Sequence, residues 1–482
     1  MTMNRKMIFH MIGRILEIEA AFLLLPCIVS LIYQETAALS FLISAAIAFC
    51  IGFLLARLFK PEDSMIFAKE GFVIVAFAWI LMSLIGALPF VISGEIPSLV
   101  DAFFETVSGF TTTGASILTN LESLSKGTLF WRSFTHWVGG MGVLVFIMAI
   151  FPTDSGRSIH VMRAEMPGPI VGKIVPKIKE TAKLLYLIYI VLTVLEIIFL
   201  LCGGMSLFES LVHAFGTAGT GGFGIKADSI ASYSPYLQWV ITVFMLIFGI
   251  NFNLFYLILI GKFRQVMKSR ELWCYVSIVI AAAVLITWNI YPLYKSISEA
   301  VRLSSFQVAS IITTTGYATC NFDLWPEFSK SILLLLMFIG GCAGSTAGGL
   351  KISRVILLFK MIKRDIQHML HPRSVGVVKF EGNRVEDATL SSVSVYFTLY
   401  FIIFAVVFLL LSLEPFDFET VFSAASACFN NVGPGFGAVG PASSFAMFSA
   451  PSKLLLSLAM LLGRLEIFPI LLACSPSIWI KR

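Results

Sequence analysis

The sequence predicts an all-α polytopic membrane protein. Of its 482 residues, 58% are hydrophobic and only 13% are charged, with a mean hydropathy of +0.91, whereas a soluble protein carries about 25% charged residues. Apolar runs long enough to cross a bilayer recur along the whole chain. Basic residues are concentrated in alternate connecting segments, which is typical of cytoplasmic loops.

Ten apolar runs are candidate spans. Nine are continuous, at about 15–33, 39–57, 71–93, 133–151, 184–202, 237–260, 273–291, 391–412 and 453–473, and a tenth near 329–361 is interrupted. With the N-terminus in the cytoplasm, most of the 34 Lys and Arg residues fall in cytoplasmic segments. This pattern predicts a multi-pass protein with both termini in the cytoplasm. It also explains the net charge of +6 without nucleic acid.

Four shorter apolar stretches lie in the outer segments. Each has roughly ten residues, too short to cross a ~30 Å hydrocarbon layer at 1.5 Å per residue. We therefore predict four re-entrant half-helices, whose C-terminal ends carry partial negative charge and favour a cation. The stretches are Ser98–Gly109, Ser206–Gly216, Ser304–Ile312 and Glu419–Phe429.

Each stretch leads into a small run that ends in glycine. The runs are Thr111–Gly114, Ala218–Gly221, Thr313–Gly316 and Asn430–Gly433. One such glycine alone is more typical of close helix packing. Four at matching positions instead favour a ring of backbone carbonyls, which can replace the hydration shell of potassium.

The chain therefore divides into a hairpin and four pseudo-repeats. The N-terminal two-helix hairpin is 1–62, and the repeats are 63–160, 161–265, 266–372 and 373–482. Each repeat reads as span, half-helix, run and span, and the four surround one central pore. The outer segments hold more acids than bases, which either concentrates cations at the pore mouth or only solvates the loops.

The interrupted span contains ten small residues at 340–349, five of them glycine. Each glycine lowers helix stability by roughly 1 kcal/mol relative to alanine. Irregular backbone at membrane depth occurs only where it is buried in protein or lines water. We predict an intramembrane loop below the third run; a small-residue helix interface is the alternative. The residues of this loop, to which the family resemblance given below assigns the role of a gate, are Gly340, Gly341, Gly344, Ser345, Thr346, Gly348 and Gly349.

Arg464 lies within the last span, where a charge is costly and rare. Glu466, two residues on, faces another side of a helix and is a poor partner. We expect Arg464 to face the cavity below the ring and contact the loop carbonyls. The alternative is an ion pair with Glu196 or another buried acid.

Other polar groups within the spans receive structural interpretations. We expect Glu196, Asn251 and Asn253 to form interhelical hydrogen bonds, and His136 and His213 to pack. The eight cysteines lack metal-ligand spacing and are read as reduced packing residues.

The motifs resemble those of the TrkH branch of the Trk/Ktr/HKT potassium transporters. The resemblance covers nearly the whole chain and includes the four runs, the 340–351 loop and Gly463–Glu466. It implies that the filter glycines are Gly114, Gly221, Gly316 and Gly433. The remaining filter residues would be Thr112, Thr113, Thr220, Thr314, Thr315, Asn431 and Val432. The second run departs from the threonine-rich type, so the ring is not four-fold symmetric.

The resemblance also implies how such a protein operates. It implies potassium uptake across a bacterial inner membrane, with sodium, rubidium and caesium as possible further ions, through a pore that the loop obstructs. It implies a homodimer in the lipid bilayer and a soluble TrkA-like nucleotide-binding ring on the cytoplasmic side.

Two other classes are weaker interpretations. A sodium- or proton-coupled secondary transporter would use broken helices around a midplane site, and four outward re-entrant segments argue against it. An enzyme would need a reaction site, for which polar groups within the spans are too sparse. The chain has no GxxxxGK[ST] or strand-linked GxGxxG motif, so we expect no nucleotide on this chain.

Overall fold

The computed structural model describes residues 3–61, 68–142, 178–374 and 376–479. The described chain is almost entirely helical, with one two-stranded hairpin. Six of the described helices are long and apolar enough to cross a membrane, or up to eight if each of two bent pairs counts as one span. The all-α membrane fold class is therefore confirmed.

The N-terminal hairpin is formed by α1 (Arg5–Ile32) and α2 (Ala37–Leu58). The two helices cross closely at Gly13 and Gly52, where a Cβ on Gly52 would lie 2.7 Å from the Gly13 carbonyl oxygen. Glycine at the crossing thus allows the backbones to touch, as in other tightly packed membrane helices.

The next helices form two successive span and half-helix groups. The first contains α3 (Ala68–Ser93), the half-helix α4 (Leu99–Phe110) and α5 (Lys126–Gly140). The second contains α6 (Ile178–Cys202), the half-helix α7 (Leu207–Gly219), α8 (Pro235–Phe248) and α9 (Phe252–Leu259). The predicted span 133–151 begins earlier, in α5, and its second half lies outside the described residues.

The third group follows the short helix α10 (Phe263–Val266). It contains α11 (Arg270–Tyr294), the half-helix α12 (Ile297–Ile312), α13 (Glu327–Ile339) and α14 (Ile352–Leu370). The half-helix α12 begins at Ile297 and not near Ser304, because Ser296 caps it by accepting from the Glu299 N–H. The helix break predicted near 340–349 is present between α13 and α14.

The fourth group follows a small hairpin of β1 (Lys379–Phe380) and β2 (Asn383–Arg384). It contains α15 (Asp387–Leu411), the half-helix α16 (Phe418–Phe429), α17 (Ala450–Arg464), α18 (Phe468–Cys474) and α19 (Pro476–Trp479).

Two predicted continuous spans are instead sharply bent. The run 237–260 turns by 91° between α8 and α9, and the run 453–473 turns by 117° between α17 and α18. At the first bend the Asn251 side chain caps α9. At the second bend Glu466 and Ile467 have φ of 54° and 68°, and Pro469 stands in the first turn of α18. Both predictions of an unbroken helix were wrong, because a high average hydropathy does not exclude a cap or turn at a polar residue such as Asn251 or Glu466.

The four half-helices begin in the same way. The capping side chain of each accepts a hydrogen bond from the N–H three residues on, which satisfies one of the free donors of the first turn. Each also has an acid in that turn, where a carboxylate complements the positive helix end. The caps are Ser98, Ser206, Ser296 and Asp417, and the acids are Asp101, Glu209, Glu299 and Glu419.

Candidate functional site

Each half-helix ends in the same backbone turn. One residue in each run has a left-handed φ of 56°, at Thr112, Thr220, Thr314 and Asn431. The N–H of the next residue donates to the carbonyl five positions earlier, from Thr113 to Ser108, Gly221 to Gly216, Thr315 to Ser310 and Val432 to Ala427. The four turns are therefore equivalent in conformation and in hydrogen bonding.

The turns set the register of the filter glycines. The glycines two residues after the left-handed residue all have positive φ, at Gly114, Gly222, Gly316 and Gly433. The second glycine is thus Gly222 and not Gly221. Gly221 occupies the place of Thr113, Thr315 and Val432, so the predicted second run is misaligned by one residue.

The four glycines close a ring. At each one, a side chain would collide with a carbonyl oxygen of the next run, in the order Gly114 with Gly221, Gly222 with Thr315, Gly316 with Val432 and Gly433 with Thr113. The last contact returns to the first run. Each run therefore contacts another through the carbonyl oxygen of an equivalent residue, and the four contacts form a closed cycle.

A side-chain contact also joins the last run to the first. The Asn431 amide nitrogen donates to Thr113 Oγ1 at 2.9 Å and to the Met460 carbonyl at 2.9 Å. All eleven predicted filter residues lie in or next to the ring, including Thr112, Thr220 and Asn431 at its turns.

A cavity of about 220 Å³ is lined by all four positive-φ glycines, and we expect it to be the outer cavity, or mouth, of the ring. Its wall includes Arg132 and Lys226, and none of the described residues lining it is acidic. Glu105 lies behind the wall, buried in an ion pair of 2.7 Å with Arg132. Several acids of the outer segments cap helices or hold loops, as Asp417 does at the start of α16.

Hydrogen bonds join the loop at 340–349 to the bend between α8 and α9. Cys342 N donates to the Gly249 carbonyl at 3.0 Å, and Phe252 N donates to the Gly344 carbonyl at 3.0 Å. The Thr346 hydroxyl donates to the Phe248 carbonyl at 3.2 Å. Because the bend supplies partners to these loop groups, they need no helical hydrogen bonds of their own.

A carboxylate anchors the same loop from α11. Glu271 Oε1 accepts the Ala343 N–H at 2.7 Å. Glu271 is in the first turn of α11 and is 5% exposed. Asn251 also lies against the loop, close to Gly344, and its side-chain oxygen accepts the Asn253 N–H in the cap of α9.

The loop contacts two runs of the ring and does not line the cavity described above. The Gly348 N–H donates to Thr314 Oγ1 at 2.6 Å. A Cβ on Gly348 would lie 2.6 Å from the Asn430 carbonyl oxygen. The glycines at 340, 344 and 349 have positive φ, so the loop requires the backbone freedom of glycine at these positions.

Two cations hold the loop. The Arg464 guanidinium donates to the Thr346 carbonyl at 2.9 Å and to the Gly140 carbonyl at 2.7 Å. It therefore contacts the loop as expected and joins it to the end of α5. Glu196 is not an acceptor of Arg464 in the described part of the chain, and Glu466 pairs with Arg354 at 2.6 Å.

The second cation was missed by sequence reasoning. Lys351 is 2% exposed, and its ammonium group donates to the Ala347 carbonyl. Its position directly after the glycine-rich segment is a signal that could have identified it. In the orientation analysis it counts only as one more cytoplasmic base.

The predicted structural histidines are buried. His213 Nδ1 lies 2.8 Å from the Glu209 carbonyl in the same half-helix. His136 is on α5, and its Nδ1 lies 2.7 Å from the Gly109 carbonyl of the half-helix α4. Its ring packs against Gly221 of the second run.

Known proteins match the chain over its whole length. A family model described as a TrkH cation transport protein matches residues 38–480. The chain belongs to the TrkH family. This TrkH-family chain is 36% identical to the "Trk system potassium uptake protein TrkH" of Salmonella typhimurium, over 99% of this chain and 100% of that protein. The same figures hold for the protein of that name from Escherichia coli K12.

A solved structure matches the TrkH-family fold. The crystal structure of the potassium transporter TrkH from Vibrio parahaemolyticus has a TM-score of 0.88 and 32% identity, and the match covers 99% of this chain and 100% of that one. Family and fold are therefore established together. The family is a class of transporters and not of enzymes.

Proposed function

We propose that this protein carries potassium into the cell through the ring of four runs. The names of its relatives and the closed ring of equivalent carbonyls both support this function. The closed cycle of four runs is the observation that carries the proposal, because carbonyl oxygens turned toward its centre would be the group a dehydrated monovalent cation needs. The four pseudo-repeats with their predicted boundaries are part of the proposal.

The ring would replace the hydration shell that the ion loses. Moving a bare ion from water to a low-dielectric interior costs on the order of 20 kcal/mol. Carbonyl oxygens of Thr113, Gly221, Thr315 and Val432 would replace its water, and the negative ends of the four half-helices would add to the attraction. The membrane potential then drives the cation inward. Rubidium, caesium and sodium are further candidate ions.

The loop at 340–349 and the two cations next to it would form the gate. The loop contacts two runs of the ring directly, and Arg464 and Lys351 place positive charge on it. A cation leaving the ring would meet both an obstruction and an electrostatic barrier. Opening then requires the loop to leave its bonds to Gly249, Glu271 and Thr314.

The remaining parts of the proposal concern the membrane, the orientation of the chain and its partners. The basic loops favour a bacterial inner membrane location with both termini in the cytoplasm. The family resemblance supports a homodimer in the membrane and a soluble TrkA-like nucleotide-binding ring against the cytoplasmic loops. Potassium is the transported ion, and nucleotide would bind only to the partner.

A bi-ionic reversal potential tests the function. Purified protein in planar bilayers should show a reversal potential that favours potassium over sodium and does not change with a proton gradient. A coupled transporter would instead show a flux that depends on a sodium or proton gradient. That result, or a current without ion preference, would contradict the proposal.

A further inference from the structure

In each run, the residues directly before and after the left-handed residue pack behind the turn. The side chains at these two positions differ among the four runs. In the first run Thr111 Oγ1 and Thr113 Oγ1 lie 2.8 Å apart, and in the third run Thr313 and Thr315 are paired at the same distance. Two runs are thus braced by a hydroxyl pair within the turn itself.

The fourth run is braced from outside. Asn430 Oδ1 accepts the Tyr400 hydroxyl at 2.6 Å, and the Asn430 amide donates to the Ser426 carbonyl at 2.9 Å. Tyr400 is on α15, so this brace comes from a neighbouring span.

The second run has glycine at both flanking positions, Gly219 and Gly221. The imidazole of His136 occupies the missing volume. A Cβ on Gly221 would collide with three ring atoms of His136, and a Cβ on Gly219 would collide with the His136 backbone carbonyl. The Phe223 ring lies against the other side of the imidazole, with the ring centres 4.2 Å apart.

The imidazole is fixed by a hydrogen bond to the first repeat. His136 Nδ1 lies 2.7 Å from the Gly109 carbonyl oxygen. Because a carbonyl only accepts, Nδ1 carries the proton and donates. Gly109 is in the last turn of α4, and its carbonyl also accepts the Thr112 N–H at 3.1 Å. One fully buried side chain therefore contacts both the second run at Gly221 and the end of the half-helix that precedes the first run.

We propose that His136 is a positioning residue of the pore, one that replaces the absent side chains of the second run and holds the Gly221 carbonyl in the ring. This inference rests on the proposed function, since it assigns His136 a role in ion preference. It differs from ordinary core packing, in which the loss of the ring lowers stability without changing which ion is preferred.

Exchanging the sizes of the side chains at positions 136 and 221 tests the positioning role of His136. His136→Ala should lower the potassium-to-sodium preference by about tenfold, or about 1.4 kcal/mol, because the second run can relax into the vacated space. Gly221→Thr alone should abolish selective current, since its side chain collides with the imidazole. The double variant H136A/G221T should recover preference relative to either single variant, because the new threonine occupies the space that the ring leaves.

His213→Ala is the matched control, since it removes another buried imidazole that is also bonded to a half-helix carbonyl. It should lower the melting temperature and keep the native ion preference. If His136→Ala does not purify, His136→Asn keeps a donor toward Gly109 and should show a smaller loss in the same direction.

The native protein is measured in parallel. If it is selective and His136→Ala is equally selective, the positioning role is wrong while the proposed function stands. A double variant no better than the single variants would also overturn the role. A native protein without potassium preference would remove both.

Discussion

Glycine is required at four residues because a neighbouring carbonyl oxygen occupies the place of its side chain. Gly114, Gly222, Gly316 and Gly433 share this requirement, and each also has a positive φ. The adjacent Gly221 is required for a different reason, the imidazole of His136. Gly221 and Gly222 are adjacent in the sequence, yet each must be glycine for a different structural reason.

This difference gives a test at the residue scale. Gly222→Ala should displace the Thr315 carbonyl and lower the potassium-to-sodium preference by about tenfold, or about 1.4 kcal/mol. Bi-ionic reversal potentials measure the change. Gly204→Ala is the control, because Gly204 has a similar φ of 85° with no atom within 4 Å of its added Cβ. Equal preference in the two variants would count against the register with Gly222.

At the scale of elements, two broken spans and one unwound loop meet below the ring. The bend at Gly249–Asn251 supplies backbone partners to the loop, and α17 ends at Arg464 so that its guanidinium reaches the loop. A cation at a helix C-terminus is also favoured by the helix dipole. The breaks in these helices therefore place the groups that hold the loop at 340–349.

Arg464→Ala should raise cation flux and leave the ion preference nearly unchanged. A unit charge near the path raises the energy of a cation by about 1–4 kcal/mol at an effective dielectric constant of about 20, so we expect a gain of about tenfold or more. Rubidium uptake into proteoliposomes measures the flux. Lys363→Ala, which removes an equal charge from an exposed site on α14, should change nothing; unchanged flux in folded Arg464→Ala would argue against the barrier.

Glu271→Ala should also raise flux, because the Ala343 N–H of the closed loop loses its acceptor. An unsatisfied buried donor costs about 1–3 kcal/mol, which weakens the closed state. Glu271→Gln keeps an acceptor oxygen and should stay near the native flux in the same rubidium assay. If the alanine and glutamine variants behave alike, the hydrogen bond does not hold the gate.

At the scale of the whole molecule, the N-terminal hairpin lies outside the ring. Its helices pack against α3 and α5, and it supplies no residue to the four turns. We therefore expect it to affect stability and not ion preference.

Gly52→Val tests that separation. The added side chain would force α1 and α2 apart, and overpacking of this kind costs about 1–3 kcal/mol, so the melting temperature in detergent should fall. Cys50→Val, on the exposed side of α2, should leave it unchanged. A shifted reversal potential in Gly52→Val would show that the hairpin acts on the pore.

The sequence by itself determined the membrane class, most of the spans, the four half-helices and the broken helix at 340–349. These features follow from composition, segment length and residues that break or end helices, all of which can be read from neighbouring residues. The tertiary structure alone decided that Gly222 completes the ring, that His136 fills the second run and that Lys351 and Glu271 hold the loop. Each of these depends on contacts between distant segments. The bends near 250 and 466 also required the tertiary structure, since a polar residue such as Asn251 or Glu466 can lie within a continuous helix or at its end, and contacts with other segments decide which.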